Sequence, residues 1–390
     1  MTDNPAHEEF DVIVVGGGPA GLSAALYCTR LGNQTALINR GGGRAAMMQD
    51  VHNVIGITED TAGTELLSTG IEQLREYGCT VYKDVISSCS TETPVSTSAP
   101  ELESESKSES APTETRSESD SEDETNTTTD TDTAKPNTPD NTTTPPQISL
   151  SGTETTYTAE YVVLATGFTD VRPDPPLPRT GRGLHYCLHC DAYMFIDEPV
   201  YVMGTSESAA HVAAIMLNFT DTVDLLTRGD PPTWSDDTDT VLKTHPIDII
   251  HEEISGVQND ADGWLTALEF EDGTTREYTG GFAMYGADYN NGLANELGCE
   301  LNDDGTVAVD NHGQTSVENV YAVGDLTPGH NQIPIALADG AKAGISIHWQ
   351  RRPFPRDLDL LDELGPVRAE EVPGLPDELL ERAIEFHTYD

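Results

Sequence analysis

Apolar and polar positions along this 390-residue chain repeat one strand–turn–helix theme. Residues 10–15 are a short apolar, β-branched run. Gly16-Gly17-Gly18-Pro19-Ala20-Gly21 follows, and then Leu22, Ala25, Leu26 and Thr29 recur at helical spacing. Residues 35–38 read as the next strand, which gives the opening of a doubly wound α/β domain. A second copy starts near Pro199. It has a strand over 200–203, a turn over 204–209, a helix to about residue 218 and a strand over 222–226. Residues 161–164 predict a strand ending in Ala165-Thr166-Gly167, and 320–323 another ending in Gly324-Asp325. Asn331-Gln332-Ile333-Pro334 then opens an Ala-rich helix, with proline where its missing N–H costs nothing.

Between about 90 and 146 this pattern stops. The segment is Ser, Thr, Glu, Asp and Pro without aromatic residues, too little apolar area to offset its ordering entropy. We read it as a long disordered acidic loop inside a domain. Residues 81–86 and 148–150 are the expected strands of the hairpin that carries it, and closure entropy grows only slowly with such a length. After residue 352 a tail remains, with one short amphipathic helix predicted over 376–386.

Charge narrows the function. The chain has 68 acidic and 20 basic residues, a net charge of −48, which disfavours nucleic acid and anionic lipid as partners. Acid is spread beyond the loop (234–239, 269–272), as expected of a protein adapted to high salt, where a Debye length of ~3 Å at 1 M makes self-repulsion tolerable. No apolar run reaches the ~18 residues of a membrane span, and no signal-peptide pattern precedes the first strand, so the expected location is cytoplasmic. Six cysteines in a chain this long make no disulfide scaffold. Cys28 falls on a helical apolar face and reads as core.

Two motifs carry chemistry. In the first turn, Gly16 permits the tight bend, Gly18 lets backbone approach a pyrophosphate, and Gly21 lets helix pack on strand. The helix start, with Pro19 and Ala20, offers N–H groups to phosphates. Asn39 ends the second strand where an acid usually meets ribose, and its amide can serve instead. The second turn keeps Gly204 and Ala209 but has Ser206 at the close-approach position and Glu207 beside it. It reads either as a nicotinamide site or as a bare fold element. The other motif is Cys187-Leu188-His189-Cys190-Asp191. Two thiols at this spacing can close a disulfide within a helical turn, and the spacing activates one as thiolate. Half of a zinc site is the rival, but a structural zinc needs four ligands and no second CxxC exists. We therefore expect no metal. His185 and His189 read as surface groups or weak modulators.

Together these residues resemble the low-molecular-weight thioredoxin reductases. The elements fall in the family's order: Gly16 to Gly21, then Gly42-Gly43 with Val51-His52-Asn53 and Gly56, Ala165-Thr166-Gly167, Gly181-Arg182-Gly183 leading into Cys187 to Asp191, and Gly324-Asp325 with Gln332. The resemblance implies two Rossmann-like, three-layer domains, the second inserted in the first: an FAD-binding domain over 1–170 and 285–351, and a nicotinamide-binding-like domain over 171–284 that carries the dithiol. It implies FAD held by the first glycine turn, Asn39, Gly43, Asn53, 165–167, Gly324, Asp325, Asn331, Gln332 and Ile333. It implies Cys190 toward the flavin, Cys187 toward a disulfide substrate, Asp191 as general acid, a thioredoxin-like partner, hinges near Val171 and Tyr285-Gly286, and a homodimer.

The chain departs from that family where NADPH should bind. Gly204, Ser206, Ala209 and Arg228 are the candidate nicotinamide residues, and Thr227-Arg228-Gly229 replaces a His-Arg-Arg run, leaving Arg228 alone for a 2′-phosphate. NADPH, NADH or a reduced ferredoxin therefore remain as electron donors. A dithiol oxidase is one rival, disfavoured by Asp191. An FAD-bound redox sensor or electron-transfer protein without enzymatic turnover is the other.

Overall fold

The computed structural model describes residues 6–92, 147–174, 178–352, 354–356, 358–372, 374 and 379–381. The predicted acidic loop, from residue 93 on, and most of the helix predicted over 376–386 lie outside the described residues.

The chain first runs β1 (Ala6–Val15), α1 (Pro19–Arg30), β2 (Thr35–Ile38), α2 (Gly63–Glu76), β3 (Thr80–Tyr82), β4 (Ser88–Glu92), β5 (Gln147–Ser151), β6 (Thr155–Leu164) and β7 (Phe168–Asp170). It continues through β8 (Leu184–His185), α3 (Leu188–Asp191), β9 (Val200–Met203), α4 (Glu207–Met216), β10 (Val223–Leu226), α5 (Asp236–Thr244) and β11 (Ile247–Ile250). Next come β12 (Ile254–Asn259), β13 (Leu265–Phe270), β14 (Thr275–Glu277) and β15 (Gly280–Ala283). It closes with β16 (Ala287–Tyr289), α6 (Gly292–Leu297), β17 (Val320–Ala322), α7 (Ile333–Arg351) and α8 (Leu358–Leu364).

The strands form two Rossmann-like parallel sheets, as the strand–turn–helix repeat predicts. The larger has the order β3-β2-β1-β6-β5-β4, with β17 also pairing β6. Strand β6 is long enough for two partners on one side: its first half pairs antiparallel with β5 and its last residues pair parallel with β17. Val12, Ile13 and Val14 are wholly buried, since a central parallel strand is covered on both faces and needs apolar residues at every position. The second sheet has the order β11-β10-β9-β15-β8, and β12-β13-β14 form a small antiparallel sheet beside it. Both are built entirely from residues between Leu184 and Ala283.

One boundary differs from the sequence reading. Ser88–Glu92, not 81–86, pairs antiparallel with Gln147–Ser151. Thr80–Tyr82 joins β2 as a parallel strand instead. The polar run Ser-Cys-Ser-Thr-Glu hides its strand character because an edge strand needs few apolar anchors. Here Cys89 packs against the core.

Two features aim this scaffold. Helices α1 and α7 cross almost backbone to backbone: a Cβ on Gly340 would stand 2.1 Å from the Ala20 carbonyl oxygen, and one on Gly344 would stand 2.7 Å from Tyr27 Cβ. Both N-termini thereby open on one cleft. The sheets are joined by the antiparallel pair β7–β16, continued by Val171 N–H donating to Gly286 O at 3.0 Å. These are the two places where the family resemblance implies hinges.

Candidate active site

The cleft at the ends of β1 and β6 has a volume of about 560 Å³ and is lined by Gly16, Gly18, Pro19, Ala20, Asn39, Gly43, 165–167, Asp325, Asn331, Gln332 and Ile333. Most of the residues predicted for the flavin thus meet at one place. Gly21 and Gly324 stand behind the wall. A Cβ on Gly21 would meet Gly16 O at 1.9 Å, and one on Gly324 would meet Ala20 Cβ at 2.6 Å. Asn53 lies in an adjoining cavity of about 110 Å³.

The first turn has the form an anionic ligand requires. Gly16 has φ +116°, and a Cβ there would lie 2.2 Å from Ala165 O, whereas Gly18 faces open space. No side chain caps α1, so its first N–H groups are directed at the cleft rather than consumed within the chain. Asn39 lies along Gly17, and its Oδ1 accepts from Gly41 N–H at 2.8 Å. Thr166 and Asn290 bond reciprocally: Thr166 Oγ1 donates to Asn290 O at 2.7 Å, and Asn290 Nδ2 donates to Thr166 O at 2.9 Å.

An arginine that sequence reasoning missed controls the charge here. Arg44 donates through Nε to Asp170 at 2.9 Å and through Nη1 to Asp325 at 3.1 Å, and its guanidinium lies 4.4 Å from the Phe168 ring centre. It ties the connecting strand β7 to the cleft. Burial raises the pKa of Asp325, and the Arg44 guanidinium offsets part of that rise. The available signal was a cation inside a glycine turn of a chain with only 20 basic residues.

The redox motif meets this cleft through one side chain. Cys187 and Cys190 form a disulfide, and Cys190 N–H donates to Cys187 Sγ at 3.1 Å. Gln332, immediately before α7, donates from Nε2 to Cys187 Sγ at 3.4 Å and holds Oε1 3.8 Å from Cys190 Sγ. That same Oε1 accepts from Asn53 Nδ2 at 2.8 Å. Asp191 ends α3 and accepts from or donates to His185 Nδ1 across 2.8 Å. The expectation for His185 is corrected: it is a core residue, 6% exposed, not a surface group. His189 is exposed as expected. The other thiols are held inert. Burial pushes Cys28 up to about 12 and Cys79 up to about 11, and burial beside Glu296 pushes Cys89 up to about 12.

The second turn is arranged differently from the first. Gly204 has φ +143° and sits tight against Ala209 and Met284. Ser206 Oγ accepts from Ala209 N–H at 3.3 Å, so α4 is capped from within the chain. Glu207 does not reach into the turn. Its carboxylate accepts from Ser235 N–H at 2.9 Å and from Thr238 Oγ1, at the start of α5. Arg228 does not face the turn freely either. Nη2 donates to Asp174 O at 2.6 Å, Nε lies 3.5 Å from Glu253, and the side chain is 10% exposed.

Comparison with known proteins agrees with this geometry. The family model described as pyridine nucleotide-disulphide oxidoreductase matches residues 10–340. The chain is 26% identical over 357 residues to a thioredoxin reductase of Peptoclostridium litorale, covering 86% of this chain and 95% of that one. It is 25% identical over 365 residues to a thioredoxin reductase of Helicobacter pylori, covering 87% of this chain and 97% of that one. In fold it matches the thioredoxin reductase from Streptococcus pyogenes MGAS5005 with a TM-score of 0.69 at 22% identity, covering 89% and 99% of the two chains. With the glycine turn, the cleft and the disulfide in place, the chain belongs to the pyridine nucleotide-disulphide oxidoreductase family.

Proposed function

We propose that this protein is an FAD-dependent disulfide reductase that passes electrons through the Cys187–Cys190 pair to a small thioredoxin-like protein. One observation carries the reading: Gln332 lines the glycine-turn cleft and also touches both sulfurs, at 3.4 and 3.8 Å. The pair is thus placed where the cleft ends.

The residues present fit FAD. Open space at Gly18 and the uncapped start of α1 suit a pyrophosphate. Asp325 and Asn39 supply acceptors for hydroxyls along the cleft, and the uncapped start of α7 favours negative charge at its end. Bound there, FAD supplies two-electron redox chemistry to the disulfide. The chain's residues do the rest. The start of α3 holds the two sulfurs together, and Gln332 orients Cys187. Cys187 is the thiolate for an incoming disulfide, Cys190 closes on it, and Asp191 borders both as proton donor. The β7–β16 connection, clamped by Arg44, is the hinge that would turn the pair outward.

The donor is the open link. A self-capped α4 and an Arg228 engaged by Asp174 and Glu253 favour a donor other than NADPH. Mixing the oxidised, FAD-loaded protein anaerobically in molar KCl with NADPH, NADH or reduced ferredoxin tests this. We expect NADPH to bleach the flavin more slowly than at least one of the other two donors. Rapid bleaching by NADPH at micromolar concentration would refute that assignment.

A further inference from the structure

We infer that His185 holds the proton that Asp191 delivers to a departing thiolate, so that the acid of the exchange reaction is a buried His–Asp pair. The inference rests on the disulfide-exchange reading above. His185 is fixed from three directions. Its backbone sits in β8, in parallel register with Phe282 of β15. Its ring is wedged edge-on against Phe195 at 5.3 Å and tilted against Phe282 at 6.1 Å. Its Nδ1 meets Asp191 Oδ2 at 2.8 Å. Asp191 is tied in turn to the cysteine turn, its N–H donating to Cys187 O at 3.2 Å. His185, Asp191, Cys187 and Cys190 all line the small cavity beside the disulfide. Of the three carboxylates that line that cavity, Asp50, Asp170 and Asp191, His185 pairs with the one that directly follows Cys190.

The chemistry explains the pairing. Carboxyl groups as a class lose their proton near pH ~4 and imidazoles near ~6.5, so a carboxyl by itself is a poor proton store at neutral pH. An imidazole behind it supplies the store. In the first step Cys187, having given its thiol proton to the pair, forms a bond as thiolate to one sulfur of a substrate RS–SR. The substrate S–S bond breaks, and RS⁻ leaves and takes a proton from Asp191, which His185 replaces. In the second, Cys190, having given its thiol proton to the pair, attacks Cys187 Sγ. The internal disulfide re-forms, and the second RS⁻ takes that proton. The dithiol is oxidised by two electrons, the substrate is reduced by two, and both dithiol protons end on RSH. His185 acts through Asp191 and positions the proton; it does not touch the substrate.

Leaving-group dependence separates this role from a packing role. An alkyl thiolate needs a proton as it leaves, whereas an aromatic nitrothiolate does not. The experiment reduces FAD-loaded protein photochemically by two electrons. It then measures exchange with hydroxyethyl disulfide and with dithionitrobenzoate at neutral pH. His185→Asn is expected to lower the ratio of the alkyl to the aromatic rate about tenfold or more, up to the ~10²–10⁴ that general acids contribute. Asp191→Asn, which keeps a polar partner for His185, is expected to lower it similarly. An unchanged ratio, with both rates falling together or neither falling, would overturn the inference. Failure of the unaltered reduced protein to exchange with either disulfide would instead overturn the disulfide-reductase reading itself.

Discussion

At the scale of single residues, the site separates two reactive sulfurs from four silent ones. Cys28, Cys79, Cys89 and Cys299 are free thiols whose ionisation burial opposes. After mild reduction at pH 8, two thiols should alkylate rapidly and four slowly. Fast labelling of a third, counted by mass, would contradict this assignment. Cys190→Ser should retain flavin yet lose disulfide reduction, and unchanged turnover would end the dithiol mechanism. Asp325 gives a prediction with the opposite sign for stability and function. Its pKa is raised in the folded protein. The stability it contributes is therefore present below its unfolded value of ~3.9 and lost as pH rises through the folded value. At pH 7 the ionised carboxylate works against folding. Asp325→Asn should raise the melting temperature of the flavin-free protein and weaken flavin retention, and a fall in melting temperature would contradict the first half. The sequence made the carboxylate, the glycines and the cysteine pair legible because each sits in a local motif. Arg44 and His185 were not legible. Each acquires its role from a partner brought by the fold: Arg44 from Asp170 and Asp325, and His185 from a ring slot between Phe195 and Phe282.

At the scale of elements, the two glycine turns show how similar sequences reach different ends. Both are strand–turn–helix units with a tight glycine contact. The first leaves its helix start open to a ligand, and the second closes it with Ser206 while α5 engages Glu207. The sequence sets Glu207 beside the close-approach position of the second turn. The fold rotates it away because the N–H groups opening α5 are nearer donors for a carboxylate. Ser206→Gly removes the cap at a cost of a few tenths of a kcal/mol and should lower the KM for a nicotinamide donor; no change would show that the cap is not what closes the site. The crossing of α1 and α7 depends on glycine at a backbone contact. Gly340→Ala drives a methyl toward Ala20 O and should cost about 1–3 kcal/mol, with flavin loss, because both helix starts border the cleft. Unaltered melting would contradict that packing. The misplaced hairpin strand has an equally local cause: β4 is an edge, and periodicity is weak where one apolar residue suffices.

At the scale of the whole molecule, a net charge of −48 sets conditions for every measurement. Spread over the surface, it opposes compaction through self-repulsion, and salt screens that repulsion within ~3 Å at 1 M. The melting temperature should rise steadily from dilute buffer to molar KCl, and a flat profile would remove the case for adaptation to salt. The order of strands, turns and helices let the α/β fold be read before the structure. The relation between its parts was legible only through the family resemblance, which set Cys190 toward the flavin, because the contact of Gln332 with Cys187 spans 145 residues. The proposed relay turns on that contact, and electron transfer between cleft and disulfide tests it most directly. FAD-loaded protein, photochemically reduced by two electrons without oxygen, should regain its oxidised flavin absorbance on addition of an oxidised thioredoxin, with two thiols appearing on that partner. The Cys190→Ser protein should stay bleached. Flavin reoxidation at equal rate in both would contradict the relay.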